Sequence, residues 1–134
     1  MSENATRQQL LIVDDEEVNR TILSLMFDSD YDIVEAPNGV EAIEAIEKNN
    51  DIALILLDVI MPVMDGFGVL DYMKEKDLLA KIPVILITSM TPQESEEKAY
   101  EYGIEDVMHK HFESAIIKRR ENNIIELYQS KKNL

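Results

Sequence analysis

The chain has 134 residues and a formal net charge of −14, with 13 basic against 27 acidic side chains, and it contains no cysteine. This length fits one domain with one core, and the missing cysteines exclude disulfides and thiolate zinc sites. The negative charge opposes nucleic-acid binding, and no leader peptide or membrane-length apolar run is recognisable, so we expect a cytoplasmic domain that contacts neither nucleic acid nor membrane.

The first two predicted strands are each followed by an amphipathic helix. The apolar run LLIV covers 10–13, and the run YDIV covers 31–34. In the helix after the first run, the apolar residues at helical spacing are Val18, Ile22, Leu25 and Met26. In the helix after the second run, they are Val40, Ile43 and Ile46. We expect these residues to form the buried faces of the two helices.

The third and fourth predicted strands are apolar throughout, which is typical of central parallel strands that are buried on both faces. IALILL at 52–57 precedes a helix whose aligned apolar residues are Phe67, Leu70 and Met73. VILIT at 84–88 precedes a helix over about 91–102, and the residues that this helix offers for burial are Ala99, Tyr100 and Tyr102. We expect the fourth helix to be weakly anchored.

The fifth run, IEDVMHK at 104–110, precedes a long helix from about Phe112. Runs two and five carry Asp32, Glu105 and Asp106, as edge strands tolerate, whereas the other three runs are uncharged. Five β-α units with this polarity predict an α/β fold, a doubly wound five-stranded parallel sheet of strand order 2-1-3-4-5. No repeat or linker divides the chain, so we expect one domain.

Polar side chains stand at the carboxyl ends of four predicted strands. Asp14 and Asp15 follow the first, Asp58 ends the third, Thr88 ends the fourth and Lys110 ends the fifth. In an open α/β sheet, this edge holds the ligand site. Converging carboxylates repel one another unless a cation lies between them, and oxygen ligands favour Mg²⁺ over zinc. The lysine and the threonine hydroxyl would then meet the oxygens of a phosphoryl group.

Asp14 and Asp15 also have a simpler interpretation. Aspartate is a common N-cap residue, and acids in the first turn of a helix interact favourably with its dipole. Taken alone, the pair is explained at least as well by the start of the first helix. Asp58 resists this interpretation because it closes a six-residue apolar strand and is followed by VIMPVMDG.

Four segments, VDDEE (13–17), LLDVIMPVMDG (56–66), ITSM (87–90) and HKHF (109–112), together resemble the receiver domain of bacterial two-component response regulators. The resemblance runs from about Leu10 to the start of the last helix and implies a (βα)5 flavodoxin-like fold. It implies that Asp58 accepts a phosphoryl group from a sensor histidine kinase or a phosphotransfer protein and thereby switches an output or dimer interface. Such a domain is not an enzyme, beyond catalysing its own phosphorylation and dephosphorylation.

The resemblance also implies a role for each site residue. The Mg²⁺ ligands would be Asp14 (through water), Asp15, Asp58 and the main-chain carbonyl of Ile60. Thr88 would follow the phosphoryl group, and Lys110 would pair with it. Mg²⁺ is the only cofactor that this assignment requires.

The segment HKH at 109–111 holds both histidines of the chain. Side chains at i and i+2 of a strand share a face, so His109 and His111 point together and Lys110 points away. Two histidines are too few for a zinc site, and the lysine is the functional residue. The family usually has a cis proline after this lysine. A non-proline cis bond costs about 3–4 kcal/mol, so we expect a trans bond between Lys110 and His111.

Two further departures from the family concern signalling and hydrolysis. Val107 stands where the family usually has an aromatic residue that reports phosphorylation, so we expect switching to pass through Thr88 and the helix 91–102. Ile60 and Met90, each two residues beyond a site residue, are apolar and cannot orient a hydrolytic water. We therefore expect a long-lived phosphoryl group.

We divide the chain into an N-terminal extension at 1–9, the receiver domain at 10–120 and an extension of the last helix at 121–134. The last helix continues through IIELY at 124–128, which exceeds what we expect the domain's own core to cover. It would lead to an output domain or to a homodimer through the last helices. The tail resembles that of receivers fused to cyclic-di-GMP enzymes.

Three alternative functions compete with this interpretation. A hydrolase of the haloacid dehalogenase type needs an acid two residues after its nucleophile, where this chain has Ile60. A flavin- or nucleotide-binding module needs a glycine-rich turn after the first strand, where this chain has DDEE. A pseudo-receiver that acts as a phosphorylation-independent interaction domain stays open, although the complete set of acids argues against it.

Overall fold

The computed structural model describes residues 7–104, 106–110 and 114–132, with the main chain alone for Pro92 and Lys132. Five strands and five helices alternate along these residues. They are β1 Gln9–Val13, α1 Glu17–Phe27, β2 Asp32–Ala36, α2 Gly39–Lys48, β3 Ile52–Asp58, α3 Gly66–Glu75, β4 Val84–Thr88, α4 Pro92–Glu101, β5 Val107–His109 and α5 Ser114–Lys132. In the described part of the chain, no helix is long and apolar enough to cross a membrane.

All strand pairs in the sheet are parallel, and the strand order is β2-β1-β3-β4-β5. The predicted α/β fold, doubly wound with order 2-1-3-4-5, is therefore confirmed. Every residue of β3 is buried, as its uninterrupted apolar sequence predicts for the central strand. The edge strand β2, which carries Asp32 and Glu35, is largely accessible.

The strand side chains alternate between two separate cores, because successive residues of a strand point to opposite faces. One core contains Leu11, Ile55 and Leu86 and is covered by α2, α3 and α4. The other contains Ile12 and Leu56 and is covered by α1 and α5. Both faces of the sheet are therefore packed with helices.

The predicted buried faces of α1 and α2 are wrong in part. In α1 the buried residues are Leu23 and Phe27, whereas Val18, Ile22 and Leu25 are 70%, 48% and 70% exposed. The helix carries two apolar stripes, and the stripe with the large aromatic ring faces the sheet. In α2 the buried residues are Gly39, Ala42 and Ile46, and Val40 is exposed. In α3 the predicted Leu70 and Met73 are buried.

The fourth helix buries little, as predicted, although one of its predicted residues is exposed and one unpredicted residue is buried. Ala99 is buried as expected, whereas Tyr100 is 81% exposed and Ser95 is fully buried. Tyr102, just after the helix, stacks on Phe67 of α3 with 6.1 Å between the ring centroids. The anchor of α4 is thus one small apolar residue, one buried hydroxyl and one stacked ring.

The domain covers one side of α5 over more of its length than the sequence predicts. Ile117 and Ile124 are buried in the core, while Ile116 is 41% exposed. The Tyr128 hydroxyl donates a hydrogen bond of 3.1 Å to the Leu79 carbonyl. The expectation that the core cannot cover the portion 124–128 is therefore wrong for its inner side. The division of the chain at 120 stays a prediction.

Candidate phosphoacceptor site

Strand register brings the predicted acids to one edge of the sheet. Val13 pairs with Leu57, so the residues that follow them, Asp14 and Asp58, lie at neighbouring strand ends. Carboxylate oxygens of Asp14, Asp15 and Asp58 all lie within 4.8 Å of one another. Asp14 and Asp58 are buried, with 3% and 1% exposure, while Asp15 is exposed.

Lys110 completes this cluster from the far side of β4. Its backbone N–H donates to the Thr88 carbonyl at 2.9 Å, which holds the residue at the end of β5. Its Nζ donates to Asp58 Oδ2 at 3.2 Å and lies 3.8 Å from Asp14 Oδ2. The ends of β1, β3 and β5 thus deliver charged side chains to one place, whereas the role of the Thr88 hydroxyl at the end of β4 stays a prediction.

The acids shift one another's protonation. Burial, followed by the negative charge of Asp14, raises the pKa of Asp58 to about 6, although Lys110 acts to lower it. Burial also raises the pKa of Asp14. For Lys110, burial acts to lower the pKa, but the carboxylates of Asp58 and Asp14 outweigh it and raise the pKa overall. One ammonium therefore offsets only part of the negative charge in the pocket.

The donor set fits a hard divalent cation. Three carboxylates from two strand ends offer oxygen ligands only, which is the preference of Mg²⁺. Burial and the neighbouring charge of Asp14 raise the pKa of Asp58, and Lys110 offsets only part of this shift. A bound cation would supply the missing positive charge, so the residues present are suited to hold one.

Asp14 is supported by Arg20 and Asn19, which sequence reasoning passed over, and by the main chain of Glu16. Arg20 donates from a terminal guanidinium nitrogen to the Asp14 carbonyl at 2.8 Å, and its Nε donates to Glu35 at 3.0 Å. The Glu16 backbone N–H donates to Asp14 Oδ1 at 2.9 Å, and Asn19 Nδ2 lies 3.5 Å from Asp14 Oδ2. Asn19 and Arg20 lie in the first turn of α1, but their spacing alone does not show that their side chains reach back to Asp14.

The loop after Asp58 is shaped by close backbone approach. The Ile60 N–H donates to Asp58 Oδ1 at 3.4 Å, and the Ile60 side chain is 54% exposed. A Cβ at Gly66 would lie 2.5 Å from the Asp58 carbonyl oxygen, so glycine is required there. Asp65 caps α3 by accepting from the Gly68 N–H at 3.0 Å. The MDG portion of the motif therefore serves to fold the loop against the site.

Thr88 is fully buried, and its hydroxyl faces the turn that leads to α4. Its Oγ1 accepts a hydrogen bond of 2.9 Å from the Met90 N–H. The turn ends at Thr91, whose side chain caps α4 by accepting from the Glu94 N–H. A phosphoryl group that attracted the Thr88 hydroxyl would therefore act directly on the start of α4.

The histidines do not form a metal site within the described residues. His109 is half-buried, and its Nε2 lies 3.3 Å from Ser95 Oγ on α4, while the neighbouring Lys110 reaches the acids. The lysine is therefore the member of HKH that joins the pocket. His111 lies outside the described residues, as does the Lys110–His111 bond, so the trans bond stays a prediction.

A groove of about 510 Å³ opens beside this site, between α1 and the start of α5. Its polar end contains Asp14, Glu16 and Lys110, and its apolar wall includes Ile22 and Met26. The exposed stripe of α1 continues from this wall. The site is therefore reached through a partly apolar groove that the sequence did not predict, because the α1 stripe was assigned to the core.

The fold and the pocket define a doubly wound α/β domain with a buried acid, a paired lysine and a set of carboxylates that could hold a cation at its carboxyl edge. The family model described as the response regulator receiver domain matches residues 10–120. The chain belongs to this family. Its acidic pocket fits the phosphoacceptor site of such domains.

Known relatives agree with this assignment. The chemotaxis protein CheY of Halobacterium salinarum is 36% identical to the chain over 107 residues, which are 79% of the chain and 87% of the relative. The two-component response regulator ORR3 of Oryza sativa subsp. indica is 32% identical over 117 residues, or 87% and 89% of the two chains. The solved structure of the chemotaxis response regulator CheY4 of Vibrio cholerae matches with a TM-score of 0.79 and 25% identity, covering 89% of this chain and 99% of that one.

Proposed function

We propose that Asp58 is the phosphoacceptor of this receiver domain. The observation that carries the proposal is the contact of 3.2 Å between the buried Asp58 carboxylate and Lys110 Nζ, at a strand end shared with two further acids. A buried carboxylate with a raised pKa and a specific charge partner is typical of a functional site. At neutral pH most of this carboxylate is ionised and available as a nucleophile.

In the proposed reaction, an Asp58 carboxylate oxygen attacks the phosphorus atom of the donor. The bond from phosphorus to the donor nitrogen or oxygen breaks, and its electron pair stays with the histidine imidazole or the acetate that leaves. Lys110 pairs with one phosphoryl oxygen, and the Thr88 hydroxyl donates to another. The chain thus catalyses only its own phosphorylation and dephosphorylation, through position and charge.

We assign Asp14, Asp15, Asp58 and the Ile60 carbonyl as the Mg²⁺ ligands. The three carboxylates offer oxygen atoms within 4.8 Å of one another, and the Ile60 backbone is already hydrogen-bonded to Asp58. When bound, Mg²⁺ supplies the positive charge that stabilises the carboxylates and the transferring phosphoryl group. The side chains of Asp14 and Asp58 contribute buried, oriented oxygens to that site.

The test is incubation with acetyl phosphate and Mg²⁺, followed by intact-mass measurement. The wild-type chain gains the mass of one phosphoryl group, Asp58→Asn gains none, and the matched control Asp51→Asn, an exposed acid before β3, gains as much as the wild type. Absence of any gain in the wild-type chain would favour the alternative, an interaction domain that works without phosphorylation.

We propose that the donor is a histidine kinase or a phosphotransfer protein and that it docks on α1. Receiver domains interact with such proteins, and here Val18, Ile22 and Leu25 form an exposed apolar stripe beside the groove that leads to Lys110. A helix that carries a phosphohistidine and lies on this stripe would bury apolar surface and bring its imidazole to the pocket.

A charge placed on the stripe tests the docking. With a purified phosphotransfer protein that phosphorylates the wild-type chain, Leu25→Glu reduces the transfer rate at least tenfold through loss of apolar burial, about 1.4 kcal/mol or more. Acetyl phosphate uptake stays unchanged. The control Leu127→Glu, on exposed α5 surface, keeps both rates. Equal transfer to the two variants would contradict docking on α1.

We further propose that α5 carries the signal from the domain to an output domain or a dimer partner. Leu127 is 50% exposed, whereas Tyr128 next to it is tied to the Leu79 carbonyl. An apolar residue on an anchored helix offers a defined contact surface. Sedimentation of the wild-type chain and Leu127→Glu, each with Mg²⁺ and beryllofluoride as phosphoryl mimic, tests the dimer. Identical monomers in both would argue against it.

A further inference from the structure

Glu16 stands at the mouth of the phosphoacceptor pocket, where it shares Lys110 with the buried acids. Its Oε1 lies 3.7 Å from Lys110 Nζ, and the same Nζ lies 3.2 Å from Asp58 Oδ2. The Glu16 side chain is 62% exposed, in contrast to Asp58 at 1%. The ammonium is therefore held between an inner carboxylate and an outer one.

The carboxylate of Glu16 is fixed in this place and has no role in starting the helix. Asn19 Nδ2 donates to its Oε1 at 2.8 Å, and its own backbone N–H donates to Asp14 Oδ1. Glu16 is the N-cap residue of α1, a position where a side-chain oxygen usually accepts from the helix, yet its side chain makes no capping hydrogen bond. Its charge is directed toward Lys110 instead.

We propose that Glu16 is a positioning residue for Lys110 and that it selects against small, doubly charged phosphodonors. The inference rests on the proposed function. In the unphosphorylated protein, Glu16 attracts the Lys110 ammonium toward the mouth of the pocket. Lys110 must give up this ion pair with Glu16 to pair with the phosphoryl group. A small dianion that enters through the mouth also meets the charge of Glu16. A phosphohistidine on a docked protein is brought in by contacts elsewhere and is less affected.

The test compares Glu16→Gln with Glu17→Gln, which removes the same charge one residue further along. Glu17 is exposed in the first turn and forms no ion pair with Lys110 among the described residues. Rates of phosphorylation are measured by intact mass with Mg²⁺ saturating for each variant, using acetyl phosphate (a dianion) and phosphoramidate (a monoanion). Glu16→Ser is a second variant, since serine caps helices well and preserves the fold.

At low ionic strength, Glu16→Gln and Glu16→Ser raise the acetyl phosphate rate about two- to fivefold, the range of exposed ion pairs. The rise is smaller with phosphoramidate and shrinks in high salt, which a merely structural effect would not do. Glu17→Gln stays at the wild-type rate. An unchanged or slower Glu16→Gln, or equal rises in both Gln variants, overturns the inference alone. No uptake by the wild-type chain from either donor defeats the proposed function instead.

Discussion

The Nε2 atom of His109 lies 3.3 Å from the Oγ atom of Ser95, and this contact joins β5 to α4. Ser95 is fully buried, and its hydroxyl also donates to the Thr91 carbonyl at 3.1 Å. His109 pairs with Thr88 across the sheet. The carboxyl end of β5, and through it the paired carboxyl end of β4, is therefore linked to the first turn of α4. This link is present although Val107 replaces the aromatic residue that usually reports phosphorylation.

This link predicts where the domain responds to phosphorylation. On binding of beryllofluoride and Mg²⁺, we expect exchange broadening of backbone amide resonances in 88–106, because the Thr88 hydroxyl accepts a hydrogen bond from the Met90 N–H in the turn that leads into α4. Ser95→Ala removes the contact with His109 and should reduce the broadening in α4. Tyr100→Ala, which changes an exposed ring on the same helix, serves as the control.

The location of the exchange broadening tests the switching pathway. Broadening that reaches α4 in the wild type and Tyr100→Ala, but is weakened in Ser95→Ala, supports the pathway. No broadening anywhere in 88–106 would count against it, as would equal broadening in both variants.

The apolar residues beside the site predict a long-lived phosphoryl group. Ile60 and Met90 flank the acceptor through backbone contacts with Asp58 and Thr88, and neither side chain can orient a water for hydrolysis. Ile60→Asn and Met90→Glu each supply a polar group and should shorten the lifetime on the order of tenfold. The decay of phosphorylated protein is followed by intact mass. Unchanged lifetimes in both variants would refute the explanation.

A control for the lifetime comes from the same loop. Val63 is 82% exposed, so Val63→Asn adds an amide to the loop at a solvent-exposed position. We expect its lifetime to equal that of the wild type. A shortening as large as that of Ile60→Asn would show that any polar residue in the loop suffices.

The raised pKa of Asp58 predicts that ionisation of this carboxylate lowers the free energy of unfolding. The folded pKa is about 6 against the usual 3.8, so between these values the folded protein holds a proton that the unfolded chain has lost. Stability contributed by this group therefore falls as pH rises through that window, and the loss is complete above it. Without Mg²⁺ at pH 7.5, Asp58→Asn should raise the free energy of unfolding by about 1–3 kcal/mol.

Denaturant unfolding at two pH values checks this prediction. Asp58→Asn should raise the free energy of unfolding by less at pH 4.5, because Asp58 is then largely protonated in the folded protein. Asp51→Asn should leave the free energy of unfolding unchanged at either pH. Saturating Mg²⁺ at pH 7.5 should stabilise the wild type more than Asp58→Asn. A variant that is less stable than the wild type in metal-free buffer at pH 7.5 would contradict the electrostatic account.

A hydrogen bond between distant parts of the chain predicts how α5 is fastened. The Tyr31 hydroxyl donates to Glu121 Oε2 at 2.5 Å, and burial together with this carboxylate raises the pKa of Tyr31. Tyr31→Phe should lower the free energy of unfolding by about 1.5–3 kcal/mol, the range for hydrogen bonds to charged groups. Tyr100→Phe, at an exposed ring, should have no effect. Equal free energies of unfolding for the two variants would contradict the claim that the hydrogen bond to Glu121 stabilises the position of α5.

The sequence predicted the sheet well because charge distinguishes edge strands from central ones. Asp32 in β2 marks an edge, and the uncharged β3 marks the centre, which is enough to order the strands. The site acids followed because parallel strands end at one edge. Apolar periodicity did not identify the buried face of α1. The stripes that contain Val18 and Leu23 both have helical spacing, and only packing against the sheet determines which of them is buried.

The supporting residues of the site were harder to predict. Arg20 and Asn19 act through long or polar side chains that reach back to Asp14, and helical spacing alone does not show that direction. Ser95 was passed over because a serine in an acidic helix reads as surface, although it is fully buried. Such contacts depend on how α1 and α4 approach the sheet, which no local pattern encodes.

The central claim is that the Asp58 carboxylate forms the acyl phosphate. Borohydride reduces an aspartyl phosphate to homoserine and leaves free aspartate unchanged, so peptide mass spectrometry after treatment with acetyl phosphate and Mg²⁺ locates the acceptor. We predict homoserine at position 58 in the wild-type chain and unmodified aspartate at positions 14, 15 and 51. Homoserine at another aspartate, or at none, would contradict the account.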